Sequence, residues 1–445
     1  MIVQVFMIMP WNPGLVKPSQ CNLNSTSCLK FAESWKIQAP LTSWNSTAKM
    51  LVEQNEFQFP KLSFLDDTVS IWSGKYVIGL TGNIASGKSV VRKMLEHLGA
   101  YGIDADALSH RAIAKGAPGY KPAVALFGNW VLDQDGQIDR LKLGKLVFND
   151  PEALRKLEAI IHPLVRQAVE VLALRASQRV IVIEAIKLLE GDLRAACDSV
   201  WVTTSPESLQ AARLMAKRGM GRDEALARIR MQPPQTLKAS QADVLIENEG
   251  TFEDTWQQVL SGWKRVVPQP EPVQPVLEET SAGEFAIIRG RPRDSSTIAD
   301  LINRLSSGAL SLDTEEIMSA FGEMAFLLIR QDGRLVGVAG WQVENLVART
   351  KSVYIDSSVS LEPALRSLIA EVEQASIQLQ CEASLVFVPS SLAIPASSLK
   401  QLGYEQRTPR ELGVQAWHDA ALESASTDSV MFFKQLRQDR VLRPI

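Results

Sequence analysis

Tyr76-Val-Ile-Gly-Leu-Thr-Gly82-Asn83-Ile84-Ala85-Ser86-Gly87-Lys88-Ser89 is the stretch on which the fold turns. It opens as a short apolar run of strand character, and its last eight residues fit Gly-x-x-x-x-Gly-Lys-Ser/Thr. From Lys88 to Leu98 the apolar residues recur at helical spacing. A strand, a glycine-bounded turn and a helix in that order make an anion cradle. Gly82 and Gly87 let the backbone turn tightly enough for successive N–H groups to converge on phosphate oxygens. The helix start at Lys88 adds its partial positive charge. Lys88 brings a mobile ammonium to the transferring phosphate, and Ser89 offers a hydroxyl to Mg²⁺, which prefers oxygen ligands. Residues Gly82 through Val90 are therefore the candidate binding loop for a nucleoside triphosphate. The loop says nothing of the acceptor, since GTPases and transport ATPases carry the same pattern.

Outward from this loop, strand-like runs recur at Ala100 to Asp104, Val180 to Glu184, Ser199 to Thr203 and Val244 to Glu247. Helical patterns lie between them at Pro151 to Ala176, Pro206 to Lys217 and Arg222 to Met231. Strands alternating with helices predict an α/β fold, a parallel sheet flanked by helices. This unit is expected over residues 74–266. Val267-Pro-Gln-Pro-Glu-Pro-Val-Gln-Pro opens a Pro-rich linker, 267–283, and a further domain of mixed strands and helices fills 284–445. Residues 1–73, rich in Ser, Asn, Gln and Trp, are an N-terminal extension with no assigned role.

Composition narrows the classes. A net charge of -3 gives no basic excess for nucleic acid. The most apolar runs are of strand length, far short of the ~20 residues that span a bilayer. The four cysteines, Cys21, Cys28, Cys197 and Cys381, lack zinc-site spacing and predict reduced thiols in a cytoplasmic protein. Met1 to Pro10 is apolar but has no basic segment before it, so no signal peptide is expected. Asn24 and Asn45 head Asn-Ser-Thr triplets that matter only in secreted chains.

Ile103-Asp104-Ala-Asp106 follows the second strand candidate. Side chains two apart on an extended segment share a face, so both carboxylates are expected at the sheet's carboxyl edge, where ligands of open α/β sheets bind. One would take the proton of an attacking hydroxyl while the other orients it. The bland alternative is that Asp106 caps a helix running from Ala107 to Ala114.

Together, the loop and Ile103-Asp104-Ala-Asp106-Ala-Leu-Ser-His resemble the opening of the dephospho-CoA kinases, a P-loop kinase family. The likeness continues through Gly136-Gln-Ile-Asp-Arg140, His162-Pro163, Leu188-Leu189-Glu190, Gln210-Ala-Ala-Arg213 to Arg218, and Ala242 to Asn248-Glu-Gly250. It covers roughly Tyr76 to Trp263. The resemblance implies transfer of the ATP γ-phosphate to the ribose 3′-hydroxyl of dephospho-CoA, giving CoA and ADP. It implies Asp106 as the base, with Lys88 and Arg213 as its catalytic companions. Arg218 and Asn248 would join Gly82–Val90 around ATP, and Asp104, Arg140, His162 and Glu190 would hold the acceptor. Arginine suits the task because its planar fork grips phosphate oxygens bidentately. Two departures stand out. Ile186-Lys187 replaces the family's proline pattern before Leu188-Leu189, and Ala85 replaces a common glycine, which alanine tolerates where φ stays negative. Other readings are a different small-molecule P-loop kinase, or a non-catalytic CoA-sensing fusion; the intact Lys88, Ser89 and Asp106 count against the latter.

After the linker, the expected order is strand Phe285 onward, helices Asp294–Leu305 and Thr314–Phe321, then strand Ala325–Arg330. An Asp332-Gly333 hairpin leads to strand Leu335–Val343, strand Arg349–Ile355, the long helix Leu361–Leu379 and strand Ser384–Val388. This α+β order, with Leu402-Gly-Tyr404, resembles the GNAT acetyltransferases. That implies acetyl-CoA or CoA as the ligand there. Yet Ser357-Ser-Val-Ser-Leu-Glu-Pro-Ala364 lacks the glycines of the family's pyrophosphate loop, which points to a non-catalytic module.

Overall fold

The computed structural model describes residues 71–268, 284–306, 309–389, 396–425 and 429–442. The N-terminal extension up to residue 70, with Cys21, Cys28 and the two Asn-Ser-Thr triplets, lies outside the described residues, as does linker segment 269–283.

Strand β1 (Tyr76–Gly82) is the centre of the first sheet, with its inner residues fully buried. It is followed by α1 (Lys88–His97), β2 (Tyr101–Asp104), α2 (Ala105–Ala112), α3 (Tyr120–Phe127), α4 (Arg140–Asn149) and α5 (Pro151–Arg175). Then come β3 (Val180–Glu184), β4 (Ser199–Thr204), α6 (Glu207–Arg218), α7 (Arg222–Arg230), α8 (Gln235–Ala239), β5 (Val244–Glu247) and α9 (Phe252–Val266). The strands pair in parallel in the order β2-β3-β1-β4-β5, with Ile78 opposite Val182 on one side and Ser199 on the other.

Parallel strands are buried on both faces, which is why they read as continuous apolar runs. Alternate residues of β1 go to opposite faces. Val77 packs with Ile103, Leu108, Val169 and Leu172, while Ile78 and Leu80 pack with Val91, Met94, Leu95 and Val259. Helix α5 is started by Asp150, whose side chain accepts from the N–H groups of Glu152 and Ala153, with Pro151 in the first helical position.

The second sheet contains β6 (Ala286–Arg289), β7 (Ala325–Gln331), β8 (Arg334–Glu344), β9 (Val347–Ile355), β10 (Ala383–Pro389), β11 (Glu405–Gln406) and β12 (Ser429–Gln435). Its helices are α10 (Ser295–Leu305), α11 (Thr314–Ala320), α12 (Leu361–Gln378), α13 (Ala396–Gln401) and α14 (Gln415–Ser424). The strand order is β11-β12-β10-β9-β8-β7-β6. The Asp-Gly hairpin forms as expected, with Asp332 at φ +47° and Gly333 at φ +79°. Parallel pairing of β9 with β10 runs from Val347 opposite Ala383 to Thr350 opposite Val386. Helix α12 buries Leu365, Leu368, Ile369 and Val372 against the sheet. Helix α14 and strand β12 were not expected; the apolar run of β12 does not alternate because both of its faces are covered, Phe432 on one side and Met431 and Phe433 on the other.

The described residues between 71 and 442 belong to a single compact unit, so the two sheets are part of one body. Their helices and loops meet closely around α1 and α2. Lys93 Nζ donates to the carbonyl of Val343 (2.8 Å), His97 Nε2 lies 2.8 Å from the carbonyl of Phe321, and Arg111 pairs with the buried Glu382 (2.5 Å). Among the described residues, no helix is long and apolar enough to cross a membrane.

Candidate active site

A cleft of about 740 Å³ lies at the carboxyl edge of the parallel sheet, where the segments after β1, β2, β3 and β5 converge. Six residues of the predicted loop face it: Ile84, Ala85, Gly87, Lys88, Ser89 and Val90. Asn83 and Ser86 instead hold the loop's shape from behind. Asn83 Nδ2 donates to the carbonyl of Pro233 (2.8 Å), Ser86 Oγ lies 2.7 Å from Thr203 Oγ1, and the Ile84 N–H donates to Gln232 (2.7 Å). Gly82 packs against Thr203 behind the same turn. No side chain caps α1, so its first turn presents backbone N–H groups as an anion site. Gly87, at φ +97°, has no room for a side chain, because a Cβ there would land on the Asn248 amide. That amide donates to the Ser86 carbonyl at 3.0 Å, fixing the loop from the β5 side.

Ala85 corrects the sequence reading. Its φ is +55°, not negative, so the alanine stands in the left-handed region that glycine tolerates freely. Arg213 braces this turn. Its Nη1 donates to the Ala85 carbonyl (3.1 Å) and to Ser205 Oγ (3.0 Å), and its Nη2 donates to the Asn248 carbonyl (3.1 Å). Arg213 and Arg218 both line the cleft, as does Asn248.

Lys88 is buried, with Nζ donating to the Asn83 carbonyl at 3.2 Å. Burial lowers its pKa, opposed by the negative charges of Glu184, Asp106 and Asp104. Glu184 is a site residue that sequence reasoning missed. It ends β3 and accepts from Ser89 Oγ (2.9 Å) and from Arg92 Nε (2.7 Å). Its signal was an acid closing the otherwise apolar run Val180-Ile-Val-Ile-Glu184. Lys238 was missed too. Together with Thr81 Oγ1 (3.0 Å), its ammonium binds the Ile186 carbonyl.

The two aspartates divide their labour differently from the expectation. Asp104, not Asp106, caps α2, accepting from the Ala107 N–H at 2.8 Å. The helix accordingly begins two residues earlier than predicted, and Asp106 in its first turn is released from capping. Its Oδ2 accepts from the Ile186 N–H at 3.1 Å. Burial raises the pKa of Asp106, resisted chiefly by the Lys88 charge. Burial, then the charge of Glu184, pushes Asp104 up to about 6.

Beside the cleft lies a second pocket of about 220 Å³, lined by Glu158, His162, Arg166, Lys187 and Glu190 among others. Among the described residues, Asp106 is the one that lines both spaces. His162 and Glu190 are thus brought together in the pocket. Arg140, expected with them, lines neither space and lies 3.7 Å from Asp419 of α14. His110 lines the cleft, and its pKa is lowered by burial and then by the charges of Arg140 and Arg218.

A loop shaped to receive phosphates, joined to a second pocket through one carboxylate, is a layout that suits a phosphotransferase. The dephospho-CoA kinase family profile matches residues 76–254. The dephospho-CoA kinase of Carboxydothermus hydrogenoformans is 44% identical over 188 residues, covering 42% of this chain and 91% of that protein. That of Geobacter metallireducens is 44% identical over 191 residues, covering 42% of this chain and 95% of that protein. An acetyltransferase structure from Salmonella typhimurium is 14% identical, with a TM-score of 0.27, and covers 35% of this chain and 95% of that one. With kinase relatives matched nearly end to end at this identity, the chain belongs to the dephospho-CoA kinase family and is an ATP-dependent kinase whose acceptor is dephospho-CoA.

Proposed function

We propose that Asp106 is the general base of this transfer, with ATP's phosphates on the Gly82–Val90 loop and the acceptor in the 220 Å³ pocket. The observation that carries this is the position of Asp106 between the two spaces. The ribose 3′-hydroxyl attacks the γ-phosphorus, forming the new O–P bond. The bond from the γ-phosphorus to the β–γ bridging oxygen breaks, ADP leaves, and the hydroxyl proton passes to the Asp106 carboxylate. Burial makes that carboxylate a stronger proton acceptor than an exposed aspartate, while Lys88 keeps it ionised. Arg213 and Lys88 bear on the phosphate charge, Arg218 joins them from the end of α6, and His162 and Glu190 attend the acceptor. Asp104 caps α2 and so fixes the direction of Asp106.

Magnesium fits at Ser89, whose hydroxyl is held by the Glu184 carboxylate beside the phosphate loop. When bound, the ion neutralises β- and γ-phosphate charge. Residues 74–266 make up the kinase domain, 267–283 the linker, and 284–445 a GNAT-like module without a glycine loop for pyrophosphate, whose ligand class is CoA or acetyl-CoA. Buried free Cys197 and Cys381 accord with a cytoplasmic setting.

The test is steady-state ADP release with and without dephospho-CoA. Asp106→Asn is expected to lower kcat by ~10²–10⁴-fold with little change in the KM for ATP. A kcat within about threefold of the parent would remove Asp106 from the role of base.

A further inference from the structure

The sheet order places acceptor and nucleoside on opposite sides of the phosphates. The phosphate loop follows central strand β1; Asp106 follows β2 at one edge, and Asn248, Gly250 and Phe252 follow β5 at the other. With the acceptor pocket beyond Asp106, the nucleoside of ATP must extend towards the β5 edge. There the cleft is walled by the C-terminal half. Ser319 and Glu323 face it, and Gly322 packs where a Cβ would lie 3.3 Å from Val90 and 3.4 Å from Phe252. Glu323 also bonds Lys217 on α6 at 2.7 Å, one residue before Arg218. That pair is exposed and contributes little to stability, so its interest is in positioning.

We infer that the segment Ser319–Glu323 is the outer wall of the nucleoside half of the ATP site, which makes the C-terminal half part of the kinase's nucleotide-binding site. The kinase family profile matches residues 76–254, so this wall lies outside the stretch that the profile covers. The inference rests on ATP's phosphates occupying the Gly82–Val90 loop. The wall acts by excluding water from the nucleoside, and its carboxylate anchors α6 through Lys217.

The experiment is full-chain kinetics with each substrate varied in turn, alongside calorimetric titration with ATP. Ser319→Trp, at an exposed helix position, puts an indole into the cleft. Glu323→Lys reverses the charge that meets Lys217. Both are expected to raise the KM and Kd for ATP by about tenfold, a loss of ground-state binding, with the KM for dephospho-CoA unchanged. Asp300→Trp, on the exposed face of α10, is the matched control and should keep parental values. KM for ATP within about twofold of the parent in both variants would overturn the inference. If Ser319→Trp does not fold, Glu323→Lys decides alone. Lys88→Ala separates the premises: if it abolishes turnover while the wall variants bind ATP normally, the phosphate loop stands and the wall falls.

Discussion

Ala85 carries a cost that the loop has to absorb. An L-residue in the left-handed region loses about 1–2 kcal/mol relative to its right-handed form, and the Arg213 hydrogen bond to the Ala85 carbonyl helps to hold it there. Ala85→Gly is therefore expected to stabilise the ligand-free protein by roughly 0.5–1 kcal/mol, after the larger unfolded-state entropy of glycine is subtracted. Thermal unfolding checks this, and a lower Tm in the variant would contradict the backbone assignment. The turn from Gly82 to Ser89 was legible as a candidate phosphate site because Gly-Lys-Ser carries its mechanism in its residue types. Glu184 was not, since a single acid at a strand end gains meaning only when Ser89 and Arg92 are folded against it. Arg140 was misplaced for the converse reason. Its partner Asp419 lies far along the chain, where no local pattern points to it.

At the scale of elements, the strands of the first sheet read well because burial on both faces leaves an unbroken apolar run. Helix ends read less well. The start of α2 hung on which of two aspartates accepts one N–H, and the fold chose Asp104. Helix α1 shows another thing the sequence concealed: its far end is covered. His97 is pressed against Phe321, ring edge to face at 5.2 Å between centroids, and burial lowers its pKa to about 4. The unfolded imidazole titrates near its ordinary value of 6.5. Between these values the unfolded chain binds more protons, so His97 contributes stability above pH 6.5 that fades as pH falls towards 4. Because the residue is only partly shielded from solvent, the contribution is on the order of 1–2 kcal/mol. His97→Gln should flatten that part of the stability profile between pH 4 and 6.5; chemical denaturation across the range is the measurement, and an unchanged slope would count against it.

For the whole molecule, the decisive contact is Arg111 with Glu382. Their side chains are 9% and 1% exposed, and Arg111 Nη1 also donates to the Asn345 carbonyl at 2.9 Å. Removing one partner leaves a buried charge alone, so Arg111→Met is expected to cost about 3–5 kcal/mol. Adding Glu382→Leu should recover much of that loss, because the pair's own net worth is small. Calorimetric melts of both variants make the comparison, and an equal loss in the double variant would show that packing, not charge, joins the halves. The sequence suggested separate parts and offered no hint of how closely the two sheets are attached. The contacts come from single side chains such as Lys93, His97 and Arg111, set on elements whose patterns are ordinary. The kinase family profile ends at residue 254, whereas here the region it matches has committed buried side chains to the half that follows. A chain ended after residue 268 would leave Lys93, His97 and Arg111 without the partners they have here, so the first half alone is expected to be less stable than the whole.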